Sequence, residues 1–405
     1  MLCKLEQSLV VSARIGEVLA SIAAAAASSG SVASFDKSVV SPFAETGDTY
    51  PPVAALARTL RRQFEVTWIP IGERGLFVDR LVEDTLLSGR ARRSLAAATA
   101  LGRDWLASRA AMRGEDLVVA VDFMAFAHAC SGTRRPVVLW SLDYLSDDEA
   151  RYGRRINRAF LGAIRAGLRR NPHVISQDAA RFASFARSMR LPAESLAWHR
   201  LPVALPAVGP PAASGWRGRP HVMQIGGINI SRCGSDFLVD RFRRHVGAFD
   251  LTFHGRVHDE MRGLLASLGG AVTVSSAMVE PEQVPRIVSR CSVGFIGNRQ
   301  GHEQFRLLKH ACGQLVEYLR CGKPVISMGP NDLGPYLAAK GVGFGVATAD
   351  EFDAALAAIH ADYAAYSRRA LDLFNAEYDL AAYETGLCAF LTGTAAAGSA
   401  LGEAP

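Results

Sequence analysis

The sequence predicts an α/β protein made of two Rossmann-like domains, each built on a parallel sheet, that face each other across a cleft. Short β-branched runs alternate with stretches of helical periodicity, which is typical of βα units. A stretch rich in Pro and Gly at 206–219 interrupts this alternation, which then restarts. The length of 405 residues is enough for two domains with ordinary cores.

This pattern sets the expected domain boundaries. Residues 1–34 are expected to be a helical or disordered extension, because the first convincing strand comes later. An N-terminal domain spans 35–205, the linker spans 206–219, and a C-terminal domain spans 220–360. Residues 361–405 form a helix and tail that we expect to pack back across the linker.

The β-branched runs and the helical spacing predict the elements of each half. In the N-terminal half the expected strands are Ser38–Ser41, Glu65–Pro70, Leu117–Asp122, Val137–Leu142 and His173–Ser176. The expected helices there lie near 51–63, 80–112, 147–170 and 179–189. In the C-terminal half the expected strands are His221–Ile225, Leu251–His254, Val272–Ser275, Ser292–Ile296 and Pro324–Met328. The expected helices there lie near 235–247, 258–267, 281–290, 306–321 and 350–360.

Composition narrows the class of protein. The seven cysteines are scattered without a Cys-x-x-Cys pair, which argues against a disulfide framework or a zinc site and indicates a reducing compartment. The ten histidines show no metal-binding spacing, so we expect no bound metal. Residues 8–29 are rich in Ala, Val and Ile, but Arg14 and Glu17 interrupt them, which disfavours a secretion signal or a membrane span. A cytoplasmic location is therefore expected.

The net charge of +6 is unevenly distributed. The segments 90–113 and 151–170 are rich in arginine, with apolar residues at roughly helical spacing. Such helices are typical of surfaces that bind anionic membranes or nucleic acid, and equally of the solvated outer faces of α/β helices. No nucleic-acid motif accompanies them, so no nucleic acid is expected as a partner. The inner face of the cell membrane is the better of the two binding interpretations.

Paired glycines follow the first strand of the second half. Gly226 and Gly227 would let the backbone approach a phosphate, with a helix starting near Ser235 or Asp236. Taken alone, a glycine pair after a strand is more often an ordinary tight turn. It is not a Gly-x-Gly-x-x-Gly pattern, which disfavours a dinucleotide-dependent dehydrogenase.

An arginine follows the next strand. Arg256 closes the sequence Phe-His-Gly-Arg, and at the carboxyl edge of a parallel sheet its guanidinium is suited to bind phosphate. The alternative is a surface arginine on a loop.

The segment from Lys309 to Met328 has the most specific pattern. Its apolar residues predict a helix that Gly322 ends, and a buried strand follows Pro324. Within that helix, Glu317 follows Gln314 by about one turn. The residues alone favour a solvated stripe in which Glu317 pairs with Arg320.

The stretch Gln314–Met328 resembles the block Lys-Leu-Leu-Glu-Tyr-Leu-Ala-Cys-Gly-Lys-Pro-Val-Val of GT-B-fold glycosyltransferases. The resemblance implies that Glu317 binds the ribose hydroxyls of a donor nucleotide. Gln314 stands where the family has lysine, which weakens phosphate contact there. Lys309 stands eight residues before Glu317, so the Glu-x7-Glu pair of retaining members is broken. Lys309 or Arg306 is then expected to supply the positive charge.

The loop after the first expected strand resembles the GT-B loop that borders the acceptor. By that resemblance Glu45 and Asp48 are candidate acceptor ligands, with Asp48 also a candidate for catalysis. Their alternative role is a polar turn and helix cap before two prolines.

Asp143 is the preferred candidate for a catalytic base. It closes a buried strand at the edge of the sheet where α/β proteins bind ligands. An aspartate at a strand end is commonly the N-cap of the next helix, but here Ser146 and Glu149 form a Ser-x-x-Glu capping box that already supplies that cap. The position resembles that of the catalytic aspartate in membrane-associated bacterial exopolysaccharide enzymes such as the xanthan glucuronosyltransferase. Asp122 is the competing candidate, and Asp178 is expected to be a helix cap.

The resemblance implies a glycosyltransferase of hexosyl or glucuronosyl type. It would use a nucleotide-sugar donor, UDP-linked by expectation, as co-substrate without a further cofactor, and a glycan or lipid-linked acceptor in polysaccharide or glycoconjugate assembly. The donor would lie on the C-terminal domain and the acceptor on the N-terminal domain. The alternatives are a sugar-nucleotide epimerase on the same fold and a non-catalytic, two-domain sugar-binding protein.

Overall fold

The computed structural model describes residues 9–14, 51–70, 110, 112, 115–144, 155–209, 218–245, 247–277 and 279–402. Its chain divides into two compact units. Among the described residues, the N-terminal unit contains Leu56–Leu201 and the chain from Tyr383 onward, and the C-terminal unit contains residues 51–55 and Pro202–Ala382.

The N-terminal sheet has the order β2-β1-β3-β4-β5-β6. These strands are β1 Leu9–Arg14, β2 Glu65–Pro70, β3 Leu117–Val121, β4 Val137–Trp140, β5 His173–Ser176 and β6 Ala197–Arg200. Strands β3 to β6 are parallel, and each pairs with the next. Strand β1 lies between β2 and β3 and is antiparallel to both.

Strand β1 corrects the expectation of a helical or disordered segment for its part of residues 1–34. Its residues Val10 and Val11 are β-branched, which favours a strand, and its backbone pairs with a neighbouring strand on both edges. Because β1 precedes every expected strand, the alternation of β and α could not reveal this antiparallel insertion.

The helices of the N-terminal unit connect these strands and cover the sheet. They are the second half of α1 Pro51–Leu60, together with α2 Asp122–Gly132, α3 Arg155–Arg170 and α4 Ala179–Met189. The long C-terminal helix, α13 Ala381–Gly402, runs mostly within the same unit. Phe126 of α2, Ile164 and Leu168 of α3, and Phe185 of α4 are fully buried in one core. The helix α2 was not expected, since its run of apolar residues shows no polar face.

Helix α3 covers most of the second basic segment, and two of its arginines are bonded within the protein. Arg165 donates to the carbonyls of Met189 and Ser188 at 2.9 and 3.2 Å, at the end of α4. Arg170 donates to the carbonyl of Cys130 at 3.2 Å. These two guanidiniums bind carbonyl groups near helix ends, so they have a role within the fold, although Arg170 is also exposed.

The C-terminal sheet is parallel throughout and has the order β12-β11-β10-β7-β8-β9. Its strands are β7 His221–Ile228, β8 Asp250–Val257, β9 Thr273–Ser275, β10 Val293–Gly297, β11 Val325–Met328 and β12 Gly343–Val346. Five of these contain or overlap the expected strands, whereas β12 was not expected because its two glycines read as a turn.

The helices of the C-terminal unit are α5 Ser235–Arg244, α6 Asp259–Ala266, α7 Val284–Val288, α8 Glu303–Arg306, α9 Gly313–Arg320, α10 Leu333–Lys340, α11 Ala349–Ala361 and α12 Tyr363–Glu377. Phe253, Phe295 and Phe352 form the centre of its core. The expected helix 306–321 is confined to its second half, because the chain before Gly313 is held in an irregular path described below.

Several expectations lie outside the described residues: the strand Ser38–Ser41, nearly all of the helix 80–112, and most of the linker 206–219. Within the described part of the chain, no helix combines the length and apolarity that a membrane span requires.

Candidate functional site

Two aspartates meet at the carboxyl edge of the N-terminal sheet. Strands β3 and β4 are parallel neighbours, with Val121 paired to Trp140, so both end at the same edge. Asp122 follows β3 directly, and Asp143 lies in the turn 141–144 that follows β4. The two candidates for the base therefore belong to one cluster rather than to separate places.

Asp122 holds the backbone of the turn that carries Asp143. Its Oδ1 accepts the backbone N–H groups of Leu142 and Asp143, each at 3.1 Å. The backbone of Asp122 has φ of +65°, in the left-handed region that few residues other than glycine adopt. The carboxylate thereby bridges the ends of two adjacent strands.

The carbonyl groups of the same turn are held from the opposite side. Gln177 Nε2 donates to the carbonyls of Ser141 at 2.7 Å and Leu142 at 3.3 Å. A guanidinium nitrogen of Arg181 also donates to Leu142 O at 2.7 Å, and its Nε donates to Gln177 Oε1 at 2.8 Å. Arg181 is 1% exposed, so a buried charge is engaged in fixing this turn.

Asp178 has the role expected for it. It is the N-cap of α4, and its side chain accepts the N–H of Arg181 at 2.8 Å. The other candidates of this half, Glu45 and Asp48, lie outside the described residues, as do Ser146 and Glu149.

The C-terminal sheet has its switch point between β7 and β10. From β7 the chain proceeds outward to β8 and β9, then crosses over to β10 and proceeds outward the other way. In open parallel sheets, ligands bind in the crevice beyond the carboxyl ends of the strands at such a point.

Two glycines from adjacent strands make close backbone contact near this point. Gly226 has φ of +88° and is exposed, and Gly255 of β8 is its partner in the sheet, with φ of +140°. A Cβ on Gly255 would collide with the carbonyl oxygen of Gly226. The same register places Arg256, which is exposed, opposite Gly227. The glycine pair and the arginine predicted to bind phosphate are thus adjacent.

Helix α9 begins beside these glycines. The amide of Gln314, in its first turn, donates to the carbonyl oxygen of Ile225. That amide nitrogen would lie 3.0 Å from a Cβ built on Gly226. One turn later, the hydroxyl of Tyr318 donates to Met223 O at 2.7 Å and accepts from Ile225 N at 3.1 Å. Both side chains attach α9 to β7, which fixes the helix relative to the switch point.

Glu317 is buried rather than solvated. It pairs with Arg320, whose Nε donates to Glu317 Oε2 at 2.7 Å, and the two side chains are each 6% exposed. The predicted pairing is therefore present, but the solvated stripe is not. Burial raises the pKa of Glu317 to about 7, although Arg320 opposes the shift. Glu317 Oε1 is buried and has no hydrogen-bond partner among the described residues.

The two remaining cations lie on the segment between β10 and α9. Arg306 ends α8 and is exposed, whereas Lys309 is half-buried. The backbone here is tied down, because Asp332 Oδ1 accepts the N–H groups of Leu308 at 2.7 Å and Lys309 at 3.0 Å. The hydroxyl of Tyr378 donates to Lys309 O at 2.6 Å.

A network missed at the sequence level supports this segment. Glu377, at the end of α12, accepts hydrogen bonds from Tyr336 at 2.8 Å and Lys340 at 2.5 Å, and lies 3.0 Å from His310 Nε2. Burial opposes ionisation, but these three partners outweigh it and lower the pKa of Glu377 to about 2. Its members are far apart in sequence, so only the fold could reveal it.

Comparison with known proteins supports the fold. No protein-family model matches the sequence, and no curated protein matches it. Among solved structures, the chain is similar to Anabaena HepE in complex with UDP-glucose, with 15% identity, a TM-score of 0.55, and coverage of 72% of this chain and 82% of the other. Sucrose-phosphate synthase from Thermosynechococcus elongatus gives 16% identity, a TM-score of 0.55, and coverage of 76% and 80%.

The alpha,alpha-trehalose 6-phosphate synthase from Burkholderia multivorans gives 16% identity, a TM-score of 0.53, and coverage of 78% of each chain. These structures are GT-B glycosyltransferases. At such low identity the likeness concerns the fold. The predicted class, α/β with two Rossmann-like domains of GT-B type, is confirmed.

Proposed function

We propose that the protein is a glycosyltransferase that moves a sugar from a UDP-linked donor to a glycan or lipid-linked acceptor in polysaccharide or glycoconjugate assembly. The observation that carries the proposal is the switch point of the C-terminal sheet. It brings together an open glycine backbone at Gly226, the cation of Arg256, and the helix that bears Glu317.

The donor nucleotide is assigned to this switch point. Arg256, together with Arg306 and Lys309, supplies positive charge for the diphosphate, and Gly226 lets its backbone come close. The buried, unsatisfied Oε1 of Glu317 is an acceptor suited to a ribose hydroxyl. HepE, which shares the fold, was solved with UDP-glucose bound, and this supports a UDP-linked donor.

Asp143 is assigned the role of base on the N-terminal unit. It would deprotonate an acceptor hydroxyl as that oxygen attacks the anomeric carbon of the donor. The bond from that carbon to the nucleoside diphosphate breaks, and cationic side chains stabilise the departing charge. This reaction inverts the anomeric centre. Glu45 and Asp48 remain proposed acceptor ligands, with Asp48 the next candidate for the base.

A further part of the proposal concerns the location of the protein in the cell. We assign the protein to the cytoplasm, peripherally at the inner face of the cell membrane. There an anionic surface would attract the arginine-rich segments 90–113 and 151–170 and would offer a lipid-linked acceptor.

A thermal-shift panel of nucleotides, nucleotide sugars and free sugars tests the proposal. We expect UDP and UDP-sugars to raise the melting temperature and free sugars to have no effect, because the proposed site recognises ribose and diphosphate. Stabilisation by free sugars alone would indicate the non-catalytic binding protein instead. Isomerisation of a UDP-sugar without an acceptor, followed by NMR, would indicate the epimerase.

A further inference from the structure

We propose that Asp122 is a positioning residue for Asp143, and that Gln177 and Arg181 complete a cradle that holds the base in one orientation. This inference rests on the proposed function, because it assigns Asp143 to the reaction. It goes beyond that function by explaining how a short turn at the edge of a sheet becomes a fixed site.

The cradle forms hydrogen bonds with both the N–H groups and the carbonyl groups of the turn. On one side, Asp122 Oδ1 accepts two consecutive N–H groups, those of Leu142 and Asp143. On the other side, Gln177 and Arg181 donate to the carbonyls of Ser141 and Leu142. A turn that was merely a connection would leave these groups to water, since loops usually run over the surface.

The cradle contains two features that are unfavourable by themselves: a strained backbone at Asp122 and a buried charge at Arg181. Asp122 adopts φ of +65°, a conformation that residues other than glycine rarely adopt. It persists only where the surrounding structure holds it in place. Arg181 is almost completely buried, and its guanidinium lies 5.3 Å from the ring centre of Tyr144, at the end of the same turn. Strain and buried charge tend to concentrate where a site must be held rigid.

The geometry also separates Asp122 from Asp143 in role. Asp122 Oδ1 already accepts two backbone N–H groups, so this carboxylate is committed to the turn. Asp143 is attached to the backbone that these bonds orient, and its side chain is half-buried. We therefore assign Asp143 as the base and Asp122 as the residue that positions it.

Two substitutions at Asp122 separate positioning from catalysis. Asp122→Asn keeps an oxygen acceptor and tolerates positive φ, whereas Asp122→Gly also tolerates positive φ but removes the acceptor. For each variant we would measure kcat and the donor KM for sugar transfer, the melting temperature, and amide hydrogen exchange at Leu142 and Asp143.

We expect Asp122→Gly to lower kcat about 10- to 100-fold with the donor KM within about twofold, because a misplaced base slows chemistry without affecting donor binding. Exchange at Leu142 and Asp143 should accelerate in this variant. Asp122→Asn should recover most of the turnover and of the exchange protection.

A second variant removes a hydrogen bond to a carbonyl group of the turn. It tests the positioning role even if Asp122→Gly does not fold. Gln177→Glu removes the donor to Ser141 O while keeping an acceptor for Arg181. We expect the same fall in kcat at constant donor KM.

Two results would overturn the inference. Loss of turnover in Asp122→Asn as severe as in Asp122→Gly would make Asp122 itself the base. Unchanged exchange in both Asp122→Gly and Gln177→Glu would show that the turn needs no cradle. If the wild-type protein transfers no sugar, the proposed function fails, but the exchange measurements still decide whether these residues position the turn.

Discussion

At the carboxyl edge of the N-terminal sheet the chain places two aspartates, Asp122 and Asp143, whereas at that of the C-terminal sheet it places glycines and Arg256. The first edge is held by side chains that grip a turn from two sides. The second is shaped by backbones that approach each other closely because Gly226 and Gly255 lack side chains.

This difference corresponds to two kinds of chemistry. The first edge carries a carboxylate on a turn that hydrogen bonds hold in place. Such a group is suited to accept a proton, because proton transfer requires a correctly oriented base. Open backbone and positive charge at the second edge are suited to bind a diphosphate, which requires close approach and little directionality. The same type of parallel sheet therefore supports two different tasks through the residues that follow its strands.

Removing the carboxylate charge at the first edge should have the largest effect. We expect Asp143→Asn to lower turnover by about 10²- to 10⁴-fold while the melting temperature and UDP affinity stay nearly normal, because only the base is lost. Glu194→Gln, on an exposed residue of the same unit, is the matched control and should leave turnover unchanged. Early melting of Asp143→Asn would make this residue structural, and full activity would shift the role to Asp48. A product with retained stereochemistry would remove the need for this base.

Removing the cation at the second edge should weaken binding rather than chemistry. We expect Arg256→Ala to reduce UDP affinity about tenfold and uridine affinity hardly at all, since only UDP carries the diphosphate. Arg262→Ala, on an exposed arginine of the same unit that pairs with Asp259, is the control. Calorimetry that shows an equal loss for uridine and UDP would exclude a phosphate role for Arg256.

The pKa of Glu317, raised to about 7 by burial, gives a pH test of the second edge. Ribose hydroxyls donate more strongly to the ionised carboxylate, so affinity should rise as pH increases through 7. We expect UDP-glucose to bind about 3- to 10-fold more tightly at pH 8 than at pH 6, because more of the protein is competent. Its diphosphate keeps a constant charge in this range. Glu317→Gln should abolish the dependence, and a slope that persists in this variant would assign it to another group.

The smallest expected effect concerns the membrane. The protein should sediment with acidic vesicles at low salt and be released at high salt, because salt screens surface charge. Arg169→Gln, on an exposed arginine of α3, should reduce this binding about fivefold or less, as expected for about 1 kcal/mol per charge. Equal partitioning to neutral and acidic vesicles would leave these arginines as a solvated face.

The second half of the molecule was more predictable from sequence than the first. Its strands are short runs of Val, Ile and Phe bounded by Gly, Pro or Ser, so β10 and β11 were expected nearly to the residue. In the first half, β3 and β4 follow the same rule, but β1 pairs with strands far along the chain, and no local pattern can specify such partners.

The candidate site was likewise predictable only where its features lie within one segment of the sequence. A strand end or a paired glycine is visible in one segment, which is how Asp143, Gly226 and Arg256 were selected. The burial of Glu317 depends on neighbours from other segments, as does the use of Asp122 as an acceptor. Such contacts join residues 20 or more positions apart, and only the fold brings them together.

A calorimetric titration of UDP into three proteins tests the central claim most directly: the wild type, Glu317→Gln and Glu194→Gln. Circular dichroism would first show that each variant is folded, because Arg320 loses its partner in the first substitution. We predict that the wild type and Glu194→Gln bind UDP equally. Glu317→Gln should bind about 5- to 150-fold more weakly, as expected for the loss of about 1–3 kcal/mol in hydrogen bonds to the ribose. Equal affinity in all three proteins, or no binding of UDP by the folded wild type, would contradict the account.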